Sequence, residues 1–148
     1  MISIRHIGIY AKNIEHMTEF YKNVFQMVPV CEKQKDKNEL LDELLKYKNT
    51  TIITTKLITP TGEITGQGDM IELVKVMSGP YQEVLSEPVY NIGVMHIAIG
   101  VEDIQKIMNL IIKNGGCQKT AIVTHINGNQ FAFATDPEGN WIELIERH

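Results

Sequence analysis

Two histidines and two glutamates stand at matching places in this chain. His6 opens the run His-Ile-Gly-Ile, and His96 opens its echo, His-Ile-Ala-Ile. Glu72 lies in Gly-Asp-Met-Ile-Glu-Leu-Val (68–74) and Glu143 in Gly-Asn-Trp-Ile-Glu-Leu-Ile (139–145), with four of seven positions identical. One glutamate projecting from a strand is ordinarily solvated surface, and one histidine is ordinarily a satisfied structural residue. Two of each, repeated in order, are the raw material of a metal site built from imidazole nitrogen and carboxylate oxygen.

Strand alternation explains how such residues are presented. Side chains along a strand point to opposite faces in turn, so Ile7 and Ile9 face away from His6, as Ile97 and Ile99 face away from His96. Ile71 and Leu73 flank Glu72 in the same way, and Ile142 and Leu144 flank Glu143. The small residues Gly8, Ala98 and Gly100 share the histidine faces and leave them open.

The elements follow from apolar spacing. Residues 3–10 read as a strand, Asn13 as an N-cap, and 14–26 as an amphipathic helix bearing Ile14, Met17, Phe20, Tyr21, Val24 and Phe25. The second copy has a strand at 94–101, a cap at Asp103, the stripe Ile104, Ile107, Met108 and Ile111, and a stop at Gly115-Gly116. His6 to His96 is 90 positions, as is Ile14 to Ile104, whereas Glu72 to Glu143 is 71. The first copy therefore carries 19 extra residues (90 − 71) between its histidine and its glutamate. Aligning Thr59-Pro-Thr-Gly with Thr135-Asp-Pro-Glu-Gly as tight turns puts 13 of these before the turn and six at 63–68, as a longer hairpin tip.

The larger insertion falls in 32–50, where more than half of the residues are charged. Leu40, Leu41, Leu44 and Leu45 make an apolar stripe there and Asn38 a cap, which predicts a short helix near 39–48. It has no counterpart in the second copy, and it could pad the sheet edge, act as a lid or form a dimer contact. Further strands are expected at 51–59, 70–77, 119–126, 130–135 and 141–146. The expectation is an α+β chain of two tandem modules, 1–78 and 92–148, joined by a connector at 79–91.

The 148 residues are 43% hydrophobic and 22% charged, which suits a globular domain or two small modules. A net charge of −4 without any basic block argues against nucleic acid as a partner. No apolar run approaches the roughly 20 residues that a membrane span needs. The first residues enter a strand pattern at once, so no signal peptide is read. Cys31 and Cys117 lack metal-ligand spacing, and a reduced, cytoplasmic setting is the expectation.

With tandem modules that open on His-Ile-Gly/Ala-Ile and close on Asp-Pro-Glu-Gly-Asn-Trp-Ile-Glu-Leu, the chain resembles the vicinal oxygen chelate superfamily, which includes glyoxalase I, methylmalonyl-CoA epimerase, fosfomycin-modifying enzymes, extradiol dioxygenases and bleomycin-binding proteins. The resemblance implies two βαβββ modules that curl into a half-barrel around a divalent metal held by His6, Glu72, His96 and Glu143. A set of two His and two Glu is most similar to glyoxalase I, as is Lys113-Asn-Gly-Gly followed by Phe133-Ala-Thr-Asp-Pro-Glu-Gly-Asn-Trp-Ile-Glu-Leu-Ile-Glu.

The activity implied is that of a lyase or isomerase, with a proton abstracted beside a metal-held carbonyl through an enediolate. Glu143 is then the catalytic base and Glu72 a possible second one. Ni, Co, Zn, Mn or Fe would suit the ligands, and the substrate would be a small molecule: a thiol adduct, a 2-oxo compound or an acyl-CoA. A homodimer is the assembly expected. An acyl-CoA epimerase and a non-catalytic small-molecule-binding resistance protein are the alternatives; Met95 stands where the epimerases tend to have a second histidine. Arg5 and Arg147 are the chain's two arginines, so an arginine clamp for a thiol's carboxylates has no evident residues. His16 and His125 read as surface residues and His148 as a disordered end. Tyr10 is either a pocket or a packing residue, and Trp141 a pocket wall.

Overall fold

Asn13 begins the first helix by accepting a hydrogen bond from the His16 amide at 3.1 Å, and Asp103 begins its counterpart by accepting from Lys106 at 2.8 Å. These caps belong to a computed structural model that describes residues 2–66, 68–77 and 92–148. The chain divides into two compact units, Met1–Gln82 and Glu83–His148. The connector expected at 79–91 lies outside the described residues. The α+β class is as expected.

The first unit runs β1 (His6–Tyr10), α1 (Ile14–Phe25), β2 (Val28–Asp36), α2 (Glu39–Leu45), β3 (Ile52–Ile58), α3 (Pro60–Thr65) and β4 (Met70–Val76). Its four strands lie in the order β1-β4-β3-β2, with β1 parallel to β4 and the other pairs antiparallel. The apolar stripe of α1 packs on β3 and β4. Ile14, Met17, Phe20, Tyr21 and Val24 are buried there with Leu57, Ile71 and Leu73, and burial of each such side chain contributes about 1.5–3 kcal/mol.

The second unit runs β5 (Ile97–Val101), α4 (Ile104–Lys113), β6 (Cys117–Gln118), β7 (Val123–Thr124), β8 (Gln130–Thr135) and β9 (Trp141–Glu146). The order is β5-β9-β8-β6, with β7 also on β8, and β5 again runs parallel to β9. Ile104, Met108 and Ile111 of α4 are buried, together with Ala132, Ala134, Ile142 and Leu144. Glu146 of β9 accepts from the Ile104 amide at 2.7 Å and ties the start of α4 to the sheet.

Several elements differ from expectation. The strands expected from residues 3 and 94 begin at His6 and Ile97. In the first unit β4 starts at Met70, opposite His6, after Gly68 and Asp69 turn with positive φ, so residues 3–5 have no ladder to join. Strand β2 completes the three strands that a βαβββ module requires after its helix, and the residue pattern gave it no position. It is an edge strand rich in charge, contains Pro29, and is bulged between Cys31 and Gln34, so it lacks apolar alternation.

The Thr59-Pro-Thr-Gly turn and the hairpin tip after it are instead α3. Pro60 sits in its first turn and the Thr59 hydroxyl accepts from the Gly62 amide at 3.0 Å. Within the strand expected at 119–126 only β7 forms, with β6 just before it, because the Thr120 hydroxyl accepts from the Phe133 amide at 2.9 Å and replaces the ladder locally. His148 is ordered: its amide donates to the Asn129 side chain at 3.1 Å, and Nε2 lies 2.8 Å from Glu146. Among the described residues, no helix is long and apolar enough to cross a membrane.

Candidate metal centre

The parallel ladders place each histidine beside its glutamate. Gly8 stands opposite Glu72 in the β1–β4 register, and Ala98 stands opposite Glu143 in the β5–β9 register. A side chain two residues earlier on the same face then reaches that glutamate. His6 Nε2 lies 3.1 Å from Glu72 Oε2, and His96 Nε2 lies 3.1 Å from Glu143 Oε2. All four side chains are partly exposed. The alternation expected from sequence is present, with Ile71, Leu73, Ile142 and Leu144 buried beneath the glutamates.

The spacing suits ligation. Two ligands about 2.0–2.2 Å from one cation and at right angles to each other are separated by about 3.0 Å. Each histidine–glutamate pair therefore fits as two adjacent ligands. Among the described residues, no three His, Cys, Asp or Glu side chains assemble into a group that could hold a metal. What each unit supplies is a pair.

The pairs differ in surroundings. Lys56 of β3 stands opposite Glu72, and its Nζ lies 3.1 Å from Glu72 Oε1. The corresponding place opposite Glu143 is taken by Phe133. The Phe133 ring meets His96 edge-on at 5.3 Å between centroids and Trp141 at 6.1 Å. Lys119 Nζ lies over the Trp141 ring, 5.7 Å from its centroid. His96 Nδ1 is buried with no partner among the described residues, so aromatic packing orients this ring rather than a second hydrogen bond. Among the described residues, no lysine or arginine pairs with Glu143.

Gly8 leaves the first pair open, since a Cβ there would come no nearer than 4.0 Å to Glu72 Oε2. Tyr10 is exposed and lines a cavity on the same sheet face. Trp141, two residues before Glu143 on β9, meets the Phe133 ring edge-on. His16 is exposed on α1, and exposed His125 lies tilted against Phe131 with ring centroids 4.6 Å apart, so neither joins a pair. Cys31 and Cys117 are free thiols. Lys56 and Phe133 are the neighbours that sequence reasoning missed. The signal for Lys56 was a lone cation within Ile-Ile-Thr-Thr-Lys-Leu-Ile.

Known proteins share this fold. A glyoxalase family protein from Bacillus cereus is 18% identical, with a TM-score of 0.84 over 99% of this chain and 94% of that one. The fosfomycin resistance protein FosX from Listeria monocytogenes, solved with Mn(II) and sulfate, is 16% identical, with a TM-score of 0.61 over 100% of this chain and 95% of that one. A glyoxalase I mutant from Zea mays is 20% identical, with a TM-score of 0.63 over 98% of this chain and 45% of that one. A search of curated proteins finds no match. The model of the Glyoxalase/Bleomycin resistance protein/Dioxygenase superfamily matches residues 3–144, and the chain belongs to that superfamily.

Proposed function

We propose that the protein is a metal-dependent lyase or isomerase of the glyoxalase type, with His6, Glu72, His96 and Glu143 holding one divalent cation. The observation that carries this reading is the repeated pair: an imidazole nitrogen 3.1 Å from a carboxylate oxygen in both units. Two neutral imidazoles and two carboxylates balance the charge of a divalent ion, and the mixed donors suit Ni, Co, Zn, Mn or Fe. Mn(II) in the FosX relative supports the choice of a divalent cation. When bound, the cation would polarise a carbonyl oxygen of the substrate and stabilise the negative charge that develops there.

The chain's residues then divide the work. Lys56 pairs with one oxygen of Glu72 and holds it in place, which makes Glu72 a fixed ligand. Among the described residues Glu143 has no such cation, and it stands among Phe133, Trp141 and His96, so it is the base that takes a proton from the carbon beside the carbonyl and returns it to the neighbouring carbon. A positioned carboxylate contributes about 10²–10⁴-fold in this role. The substrate is a small molecule, and a homodimer is part of the proposal, which sedimentation tests.

The experiment is twofold. Metal analysis of the purified protein should find one divalent cation per site. Incubation in D₂O with a panel of hemithioacetals, 2-oxo compounds and acyl-CoAs should exchange a substrate α-proton. Protein that takes up no cation and exchanges no proton with any of them refutes the reading.

A further inference from the structure

Helix α2 does not pad the sheet edge. It stands over the face of the first sheet that carries Glu72, and the two enclose a cavity of about 400 Å³. The walls are mostly apolar, with Leu41, Leu44 and Leu45 from the helix and Tyr10, Ile52 and Val74 from the strands, and Asn38 and Thr54 as the neutral polar residues. Among the described residues, the charged ones in the lining are Asp36 and Glu72, both acidic, and no lysine or arginine lines the cavity. Lys56 reaches Glu72 Oε1 but is not part of the wall.

Helix α2 is capped at its start and tied to the following chain near its end. Asn38 accepts from the Leu41 amide at 3.0 Å at its start. Near its end, Asp42 accepts from the amides of Asn49 at 2.8 Å and Thr50 at 2.7 Å, which joins the helix to the strand that follows. The leucines are thereby held over the sheet without being buried in it: Leu44 is 67% exposed.

We infer that this cavity is a subsite for the uncharged, apolar part of the substrate, with the reacting carbonyl directed to the Glu72 end; the inference rests on the proposed function and names its substrate class. An anionic group, such as the carboxylates of a peptide thiol or the phosphates of an acyl-CoA, would meet the carboxylates of Asp36 and Glu72, with Lys56 already paired to Glu72 from outside the wall, and it would lose hydration without compensation. An aliphatic or aromatic group gains by covering the leucines. The favoured substrate is therefore a 2-oxo compound or thiol adduct whose tail is apolar and uncharged.

The test uses two fluorescent probes on one aromatic frame: neutral N-phenylnaphthylamine and its sulfonated analogue, anilinonaphthalene sulfonate. The metal-free full chain should bind the neutral probe roughly tenfold or more tightly than the anionic one. Leu44→Asp, at an exposed position that the fold tolerates, and Val74→Trp, which fills the cavity, should each weaken the neutral probe by roughly tenfold or more. Asp36→Asn should narrow the gap between the probes.

Equal binding of the two probes, no binding of either, or neutral binding untouched by both Leu44→Asp and Val74→Trp overturns the subsite. Cation titration of the same samples reads the proposed metal centre independently. Probe discrimination without cation uptake refutes the function and leaves the cavity's preference standing. Cation uptake without discrimination refutes the subsite alone.

Discussion

Gly68 is the residue through which backbone geometry controls the first histidine. Its φ is +64°, and a Cβ at this position would collide with the carbonyl oxygen of Ile4, two residues before His6. Gly68→Ala therefore carries two penalties. The left-handed conformation costs a non-glycine residue about 1–2 kcal/mol. Forcing a methyl group against rigid backbone costs about 1–3 kcal/mol more. The sum, about 2–5 kcal/mol, is a large share of a stability of about 5–15 kcal/mol. At about 4–8 °C per kcal/mol for a unit of this size, the expected fall in Tm is about 10 °C or more.

Gly66→Ala is the control. Gly66 has φ +67° but nothing within 4 Å of its missing Cβ, so it carries the backbone penalty alone. Thermal unfolding by circular dichroism should rank wild type above Gly66→Ala and Gly66→Ala above Gly68→Ala. Cation titration should show weakened binding in Gly68→Ala only, because only there is the start of β1 displaced. Equal losses of Tm in the two variants would refute the collision, and intact cation affinity in Gly68→Ala would refute its link to His6.

Glu143→Gln should keep the fold and most cation binding while cutting α-proton exchange by about 10²–10⁴-fold, since an amide ligates weakly and takes no proton; unchanged exchange would move the base to Glu72. Lys56→Met should tighten cation binding by roughly tenfold, because a positive charge 3.1 Å from Glu72 Oε1 no longer competes with the ion. Weaker binding in a calorimetric titration would show instead that Lys56 serves chiefly to position the carboxylate. Hydrogen bonds from the amides of Asn49 and Thr50 hold the Asp42 carboxyl below its ordinary 3.8. A depressed folded value means that its support of the α2–β3 junction is full above 3.8 and is lost as the pH falls through the lower value. Amide chemical shifts of Asn49 and Thr50 should titrate with a midpoint under 3.8 in wild type and not at all in Asp42→Asn, and a midpoint at or above 3.8 would refute the assignment.

What the sequence disclosed was whatever repeats with the period of an element. The alternation around Glu72 and Glu143 identified their faces, and the equal spacing of His6 to His96 and Ile14 to Ile104 exposed the two units. The stripe of four leucines located α2, although its partner surface was not legible, because that surface is assembled from three strands far apart in the chain. Strand β2 was hidden because an edge strand with one paired side needs no apolar alternation. Lys56 and Phe133 were hidden for another reason: each meets its glutamate through antiparallel register, which local patterns do not encode. Helix α3 was misread because a threonine–proline pair begins a helix as readily as a turn.

Each histidine–glutamate pair is also the clasp of a ring of chain, closed where the first strand of its unit lies along the last. The first ring spans 66 residues (72 − 6) and the second 47 (143 − 96). For a flexible chain, the entropic cost of closure grows only as the logarithm of ring size, so the 19 additional residues raise it by about 0.3 kcal/mol. The rim of the first ring can thus gain a helix, and lose or exchange one, at almost no cost to the clasp. Chemistry held at the closure and selectivity carried on the loop are free to diverge separately.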